Sequence, residues 1–228
     1  MVIVFTGNGK GKTTAALGQM MRALGRGKSA LMIQFIKGQW RSGEDEFAEQ
    51  FSAKDARLPP ACSPRLRESE AGRQGRDGQG SPPETCSKGA SASGGDAPRA
   101  HASHGKIQGR FKIVKMGLGF AGILGDKLPL EKHQKAAEKA LEYFKSEAVS
   151  GKWHLIVLDE VNVAVSLGLL SVQNVSAAIK DFPQDKILIL TGRDAPKEFI
   201  DAADLVTEMK EIKHPFAEGK KAKPAIEF

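Results

Sequence analysis

Lys12 and Thr13 close a run, Thr6-Gly7-Asn8-Gly9-Lys10-Gly11, whose residue types suit an anion. Gly7, Gly9 and Gly11 permit positive φ and close backbone approach. Successive N–H groups in such a turn converge as a nest. A helix beginning directly after it adds its partial positive end. Lys12 brings a point charge to the outer phosphates, and the Thr13 hydroxyl can ligate Mg2+. This is the chemistry of a phosphate-binding loop. One position departs from the usual spacing of Gly, four residues, then Gly-Lys-Ser/Thr: Thr6 stands where the first glycine is expected. The structural alternative is a glycine-rich turn with two surface lysines.

A second landmark is Trp153-His154-Leu155-Ile156-Val157-Leu158-Asp159-Glu160, an apolar run ending in two acids. A carboxylate at such a strand tip, beside a phosphate loop, holds Mg2+ directly or through water. The signal is weak alone and strong beside the glycine loop. Arg193, after the apolar run Lys186–Leu190, could reach a phosphate bidentately or pair with a local acid.

These residues need elements to position them. Val2–Phe5 is a short, mostly β-branched strand, and Ala15, Ala16, Leu17, Met20, Met21 and Leu24 recur at helical spacing. Strand, glycine loop, helix is the context a phosphate loop requires. Ser29–Phe35 reads as a second buried strand, Gly43–Phe51 as a short helix, and Phe111–Met116 as a strand. Ligands of parallel sheets bind beyond the C-terminal strand ends, which puts Gln34, Lys37 and Trp40 on the site side. The glycine-rich, apolar stretch Gly117–Asp126 suits a lid, a wall for a flat ligand, or a loop tucked into the core. Leu130–Ser150 is a helix with Ala137, Leu141, Phe144 and Ala148 on one face. Val172–Ile179 suggests another helix, Lys186–Leu190 a further parallel strand, Pro196–Ala203 a short helix, and Leu205–Lys210 a last, more exposed strand. The reading is α/β, mainly parallel sheet flanked by helices.

Between about 52 and 106 the composition turns to Gly, Ser, Pro, Ala and Arg. Such a stretch buries too little apolar surface to offset its ordering entropy, which predicts a disordered insertion in a single domain. Its Cys62, Cys86, His101 and His104 match no compact zinc spacing. The net charge of +7 and pI near 9.4 suit anionic ligands. The single tyrosine gives no basic-aromatic interleaving, so no nucleic-acid partner is expected. With no apolar run of membrane-spanning length and no leader before the first strand, the expectation is a soluble, cytoplasmic protein without a membrane partner.

With these landmarks placed, the sequence resembles the P-loop class of ATP:corrinoid adenosyltransferases, which act on cob(I)alamin and cob(I)yrinic acid a,c-diamide. The matching stretches are Phe5–Ala16, Gln34–Gly38, Val157–Glu160, Leu190–Arg193 and Glu211–Phe216. Thr6 is itself the family's form of the loop. The resemblance implies a RecA-like fold and transfer of the 5′-deoxyadenosyl group of ATP to the Co(I) of a reduced corrinoid, with triphosphate released. ATP would sit reversed in the loop, bringing C5′ to the acceptor. Lys12 and Glu160 would be catalytic. Thr13 and Glu160 would hold Mg2+ or Mn2+, with Asp159 supporting. Thr6, Gly7, Asn8, Gly9, Lys10, Gly11, Lys12 and Thr14 would bind the nucleotide, with Arg193 on polyphosphate. Phe120 matches the family's Gly-Phe-Thr-Trp stretch, which contacts the corrin and displaces its lower ligand. Here the stretch is Gly119-Phe120-Ala121-Gly122, and the tryptophan is missing. The resemblance further implies a reductase or flavodoxin-type electron donor and a homodimer. The competing readings are a P-loop ATPase or phosphotransferase and a non-catalytic corrinoid- or nucleotide-binding protein.

Overall fold

A computed structural model describes residues 1–38, 41–52, 109–119, 128–215 and 219. The 52–106 insertion beyond its first residue, Trp40, Phe120 with the rest of the loop to Asp126, and the tail from Phe216 apart from Gly219 lie outside the described residues.

Among the described residues six strands make one sheet: β1 (Val2–Thr6), β2 (Ala30–Gln34), β3 (Phe111–Lys115), β4 (Leu155–Asp159), β5 (Ile187–Thr191) and β6 (Leu205–Glu208). The helices are α1 (Lys12–Gly25), α2 (Gly43–Ser52), α3 (Leu130–Val149), α4 (Val161–Ser166), α5 (Val172–Lys180) and α6 (Lys197–Ala202). The strand order is β3-β2-β4-β5-β1-β6, and every pair is parallel.

Sheets of this kind are covered on both faces, so their central strands are apolar throughout rather than alternating. β1, β2 and β4 are buried at every position. Alternate residues divide between two cores. Val4, Leu31, Ile33, Ile156, Leu158, Leu188 and Leu190 face the layer that carries α3, α4, α5 and α6. Ile3, Phe5, Met32, Val157 and Ile189 pack with Ala16, Met20 and Leu24 of α1. Each such side chain contributes about 1.5–3 kcal/mol by leaving water. β6 is exposed along its whole length, as the sequence predicts for the last strand.

The long helix α3 buries the face expected of it and adds His133 and Ala140. The helix that sequence periodicity does not announce is α4. Val161-Asn162-Val163-Ala164-Val165 continues the apolar, β-branched character of β4. The chain nonetheless turns, because Glu160 adopts a left-handed conformation (φ 60°, ψ 23°) at the helix start. Burial of Val161, Asn162 and Ala164 then overrides their modest helix propensity.

Strand register aligns the functional ends. Gln34 lies opposite Asp159, and Phe5 opposite Thr191. The polar residues that end these buried strands therefore sit together at the C-terminal end of the sheet, beside the loop that leaves β1.

Candidate active site

The glycine loop leaves β1 at Thr6 and enters α1 through Gly11, whose backbone is left-handed (φ 114°). Lys12 is the first helical residue and is 93% buried, with 7% of its surface exposed. Its Nζ donates to the carbonyls of Gly7 (2.8 Å) and Gly9 (2.7 Å). Burial pushes the Lys12 ammonium below the ordinary lysine range, while the nearby Glu160 carboxylate opposes the shift. Lys10 and Thr14 are exposed on either side, and Thr13 is half-buried.

Gly7 and Gly9 have a second reason to be glycine, and sequence spacing does not reveal it. The segment following β6 lies directly against them. A β-carbon on Gly7 would overlap the Met209 carbonyl oxygen, and one on Gly9 would sit 2.7 Å from the Lys210 carbonyl carbon. Gly9 N–H donates to Met209 O (2.7 Å), Met209 N–H to Thr6 O (2.8 Å), and Glu211 N–H to Asn8 Oδ1 (3.2 Å). The loop is thus braced from behind by residues 209–211. The Thr6 hydroxyl accepts from Ala195 N–H (3.2 Å), tying the loop's first residue to the β5–α6 turn.

Opposite the loop stands the acidic pair. Asp159 is 2% exposed and accepts three hydrogen bonds. Thr13 Oγ1 and Thr191 Oγ1 donate to its Oδ1, each at 2.8 Å, and Gln34 Nε2 donates to Oδ2 at 3.1 Å. Burial raises the Asp159 pKa, with the three donors pulling the other way. Glu160 is pushed up to about 7, first by burial and then by Asp159, while Lys12, Arg193 and Lys37 oppose.

The remaining predicted residues take the following places. Gln34 joins the acidic pair, as its position at the end of β2 suggests. Lys37 Nζ donates to Ser42 Oγ (3.2 Å) and pairs with Glu44, so it is tied to the start of α2. Arg193 is exposed, two residues beyond the tip of β5, and its charge acts on Glu160. The near end of the glycine-rich loop is laced to the β2 exit, with Gly119 N–H donating to Ile36 O (3.0 Å) and Gly117 packed on the Ile36 backbone. Two residues at the site carry no role in the sequence reading: Thr191 and Asn162, both fully buried. The signal that could have found Thr191 is the one that marks Gln34 and Asp159, a polar residue ending an apolar strand.

Among the described residues no three His, Cys, Asp or Glu side chains converge on a common point. Donors for a cation here are therefore the Thr13 hydroxyl, the acidic pair and the phosphates of a bound nucleotide. That is an all-oxygen set of the kind Mg2+ takes, one or two carboxylates plus substrate phosphates, so the residues present fit the ion.

A glycine loop between a parallel strand and a buried lysine, facing an acid-tipped strand with one strand between, places the chain in the P-loop α/β class. A family model, "ATP:corrinoid adenosyltransferase BtuR/CobO/CobP", matches residues 1–70 and 88–228. The chain belongs to this family. It is 31% identical over 230 residues to a corrinoid adenosyltransferase of Sinorhizobium sp., with all of this chain and 80% of the relative covered. It is 30% identical to the corrinoid adenosyltransferase of Pseudomonas aeruginosa, covering 83% of it, and 26% identical to that of Escherichia coli K12, covering 85%. The family match skips residues 71–87, inside the low-complexity stretch.

Proposed function

We propose that this protein transfers the 5′-deoxyadenosyl group of ATP to the Co(I) of a reduced corrinoid, with release of triphosphate, in cobalamin biosynthesis. The observation that carries the reading is the facing arrangement of Lys12 on the glycine loop and Thr13 bonded to Asp159 at the tip of β4. The bond that breaks joins C5′ of the ribose to the triphosphate oxygen. The bond that forms joins C5′ to cobalt, whose electron pair is the nucleophile. Negative charge grows on the leaving triphosphate. Groups fixed where charge develops lower a barrier most, and Lys12, with loop amides other than that of Gly9, would be such groups. Positioning ATP against the corrinoid is the rest of the protein's task, since the cobalt chemistry belongs to the substrate.

Thr13 and Glu160 would hold Mg2+, with Asp159 fixing Thr13. When bound, the ion neutralises triphosphate charge. Thr13 suits this because its proton is spent on Asp159, which leaves the hydroxyl lone pairs free for a cation. The chain works as one catalytic domain interrupted at about 52–106, in a homodimer, in the cytoplasm, with an external reductase or flavodoxin-type donor supplying Co(I). No helix among the described residues is long and apolar enough to cross a membrane.

One observation favours a second reading. Glu160 is fixed beside the loop, its N–H donating to Thr191 Oγ1 (3.0 Å), at the strand tip where a carboxylate orients water in ATP hydrolysis. The products separate the two. The protein is mixed anaerobically with ATP, Mg2+ and chemically reduced cob(I)alamin, and the spectrum and released phosphates are followed. A light-sensitive cobalt–carbon product with stoichiometric triphosphate is the expected outcome. ADP and phosphate without that product would establish the hydrolytic reading instead.

A further inference from the structure

The tip of β5 is built around the acidic pair, though nothing in the chemistry above uses it. We propose that Thr191 is a positioning residue that orients Asp159 and Glu160 together, and that Gly192 and Asn162 complete the seat. The proposal rests on the reading of Thr13, Asp159 and Glu160 as the divalent-cation end of the ATP site.

A hydroxyl has one proton and two lone pairs. Thr191 spends both kinds on the pair. Its proton goes to Asp159 Oδ1 (2.8 Å), and its oxygen accepts Glu160 N–H (3.0 Å). The first bond shares an acceptor with Thr13, so Thr191 and Thr13 together fix the same carboxylate oxygen. The second bond holds the backbone of Glu160 in the left-handed region, which a β-carbon disfavours. That conformation sets where the Glu160 side chain leaves the chain.

Gly192 receives the other end of Glu160. Its φ is +131°, and a β-carbon there would lie 3.2 Å from Glu160 Oε2 and 2.9 Å from the Asn162 Cβ. The missing side chain is thus the space beside which the carboxylate rests. Asn162 Nδ2 donates to Gly192 O (3.1 Å) and holds the turn in place. Valine has nearly the shape of threonine, so packing alone would be satisfied by Val at 191. The two polar contacts would not, whereas serine would keep both.

The test uses the full chain without corrinoid and measures ATP affinity by calorimetry, with Mg2+ and separately with EDTA. Outer contacts to metal-binding groups are worth about 10–100-fold in metal affinity. Thr191→Val is expected to weaken Mg·ATP binding by about that factor, to leave metal-free ATP binding within about twofold of wild type, and to be rescued by Thr191→Ser. Gly192→Ala is expected to show the same selective loss. If Thr191→Val does not fold, Thr191→Ala is read in the same way. Wild-type Mg·ATP affinity in the folded valine variant overturns the proposal. So does equal loss with and without Mg2+, which marks a merely structural role, and so does a wild-type chain whose ATP affinity ignores Mg2+. A wild-type chain that forms no cobalt–carbon product, yet gives the expected selective pattern, overturns the transferase reading while supporting the role of Thr191.

Discussion

The two halves of the candidate site are held together in different ways. The glycine loop is organised by main-chain atoms. Lys12 bonds to the carbonyls of Gly7 and Gly9, and Gly9 and Thr6 exchange backbone hydrogen bonds with Met209. The acidic half is organised by side chains drawn from three segments distant in sequence: Gln34, Thr13 and Thr191, all on Asp159. A main-chain structure tolerates change at exposed Lys10 or Thr14 but not at a glycine that another backbone presses upon. A side-chain structure has the opposite sensitivity, since each polar group matters and each can be replaced by a close mimic.

The largest effect expected from breaking this contrast comes from Lys12, the buried cation of the loop half. Lys12→Ala should reduce adenosyl transfer by at least about 100-fold, measured as cobalt–carbon product per minute; a wild-type rate would sink the site assignment. Next is Gly9→Ala, which tests the brace rather than the chemistry. Forcing a methyl against the Lys210 backbone should cost about 1–3 kcal/mol of stability, read by urea unfolding with no nucleotide present. Unchanged stability would mean that residues 209–211 do not press on the loop.

The acidic half gives the third test, through pH. Glu160 has its pKa raised from the ordinary glutamate value of 4.5 to about 7 in the folded chain. The folded state therefore binds this proton more tightly than the unfolded state. Stability attributable to the group is highest at low pH and falls as pH rises from about 4.5 through 7. Glu160→Gln removes the penalty, so the variant should exceed wild type by about 1–3 kcal/mol at pH 8 and match it near pH 4.5. Parallel pH profiles for the two proteins would refute the buried-acid description. The smallest effect is expected outside both halves. Removing residues 71–87, which the family match skips, should change stability by less than about 0.5 kcal/mol, because loop-closure entropy varies slowly with length. A loss of cooperative unfolding in that deletion would assign the stretch a place in the core.

This contrast also decides what the sequence could disclose. Fold class was legible, because burial on both faces of a parallel sheet leaves unbroken apolar runs such as Leu31-Met32-Ile33 and Leu155–Leu158. The loop was legible because Gly7 through Thr13 is one continuous segment, and Asp159-Glu160 because an acid pair ending such a run is locally conspicuous. Thr191 was readable as a strand end, but its bond to Asp159 depends on β5 lying beside β4, a topological fact no local pattern contains. α4 was missed because its valines carry strand propensity, and only the left-handed turn at Glu160 redirects them. For Gly7 and Gly9 the structure shows a reason for glycine that local sequence does not carry. Their spacing suggests closeness to an anion, whereas closeness to Met209 and Lys210 follows only from where β6 pairs.

The placement of β1 between β5 and β6 also bears on the order in which the protein is made. β1 leaves the ribosome well before its two sheet neighbours and the brace behind its loop, all of which lie among residues 187–211. At roughly 5–20 residues per second, β1 waits about 10–40 s for its partners. During that time Val2–Phe5 is an apolar strand with two unpaired edges. The glycine loop therefore gains its support only after residues 187–211 emerge, long after the loop itself is translated.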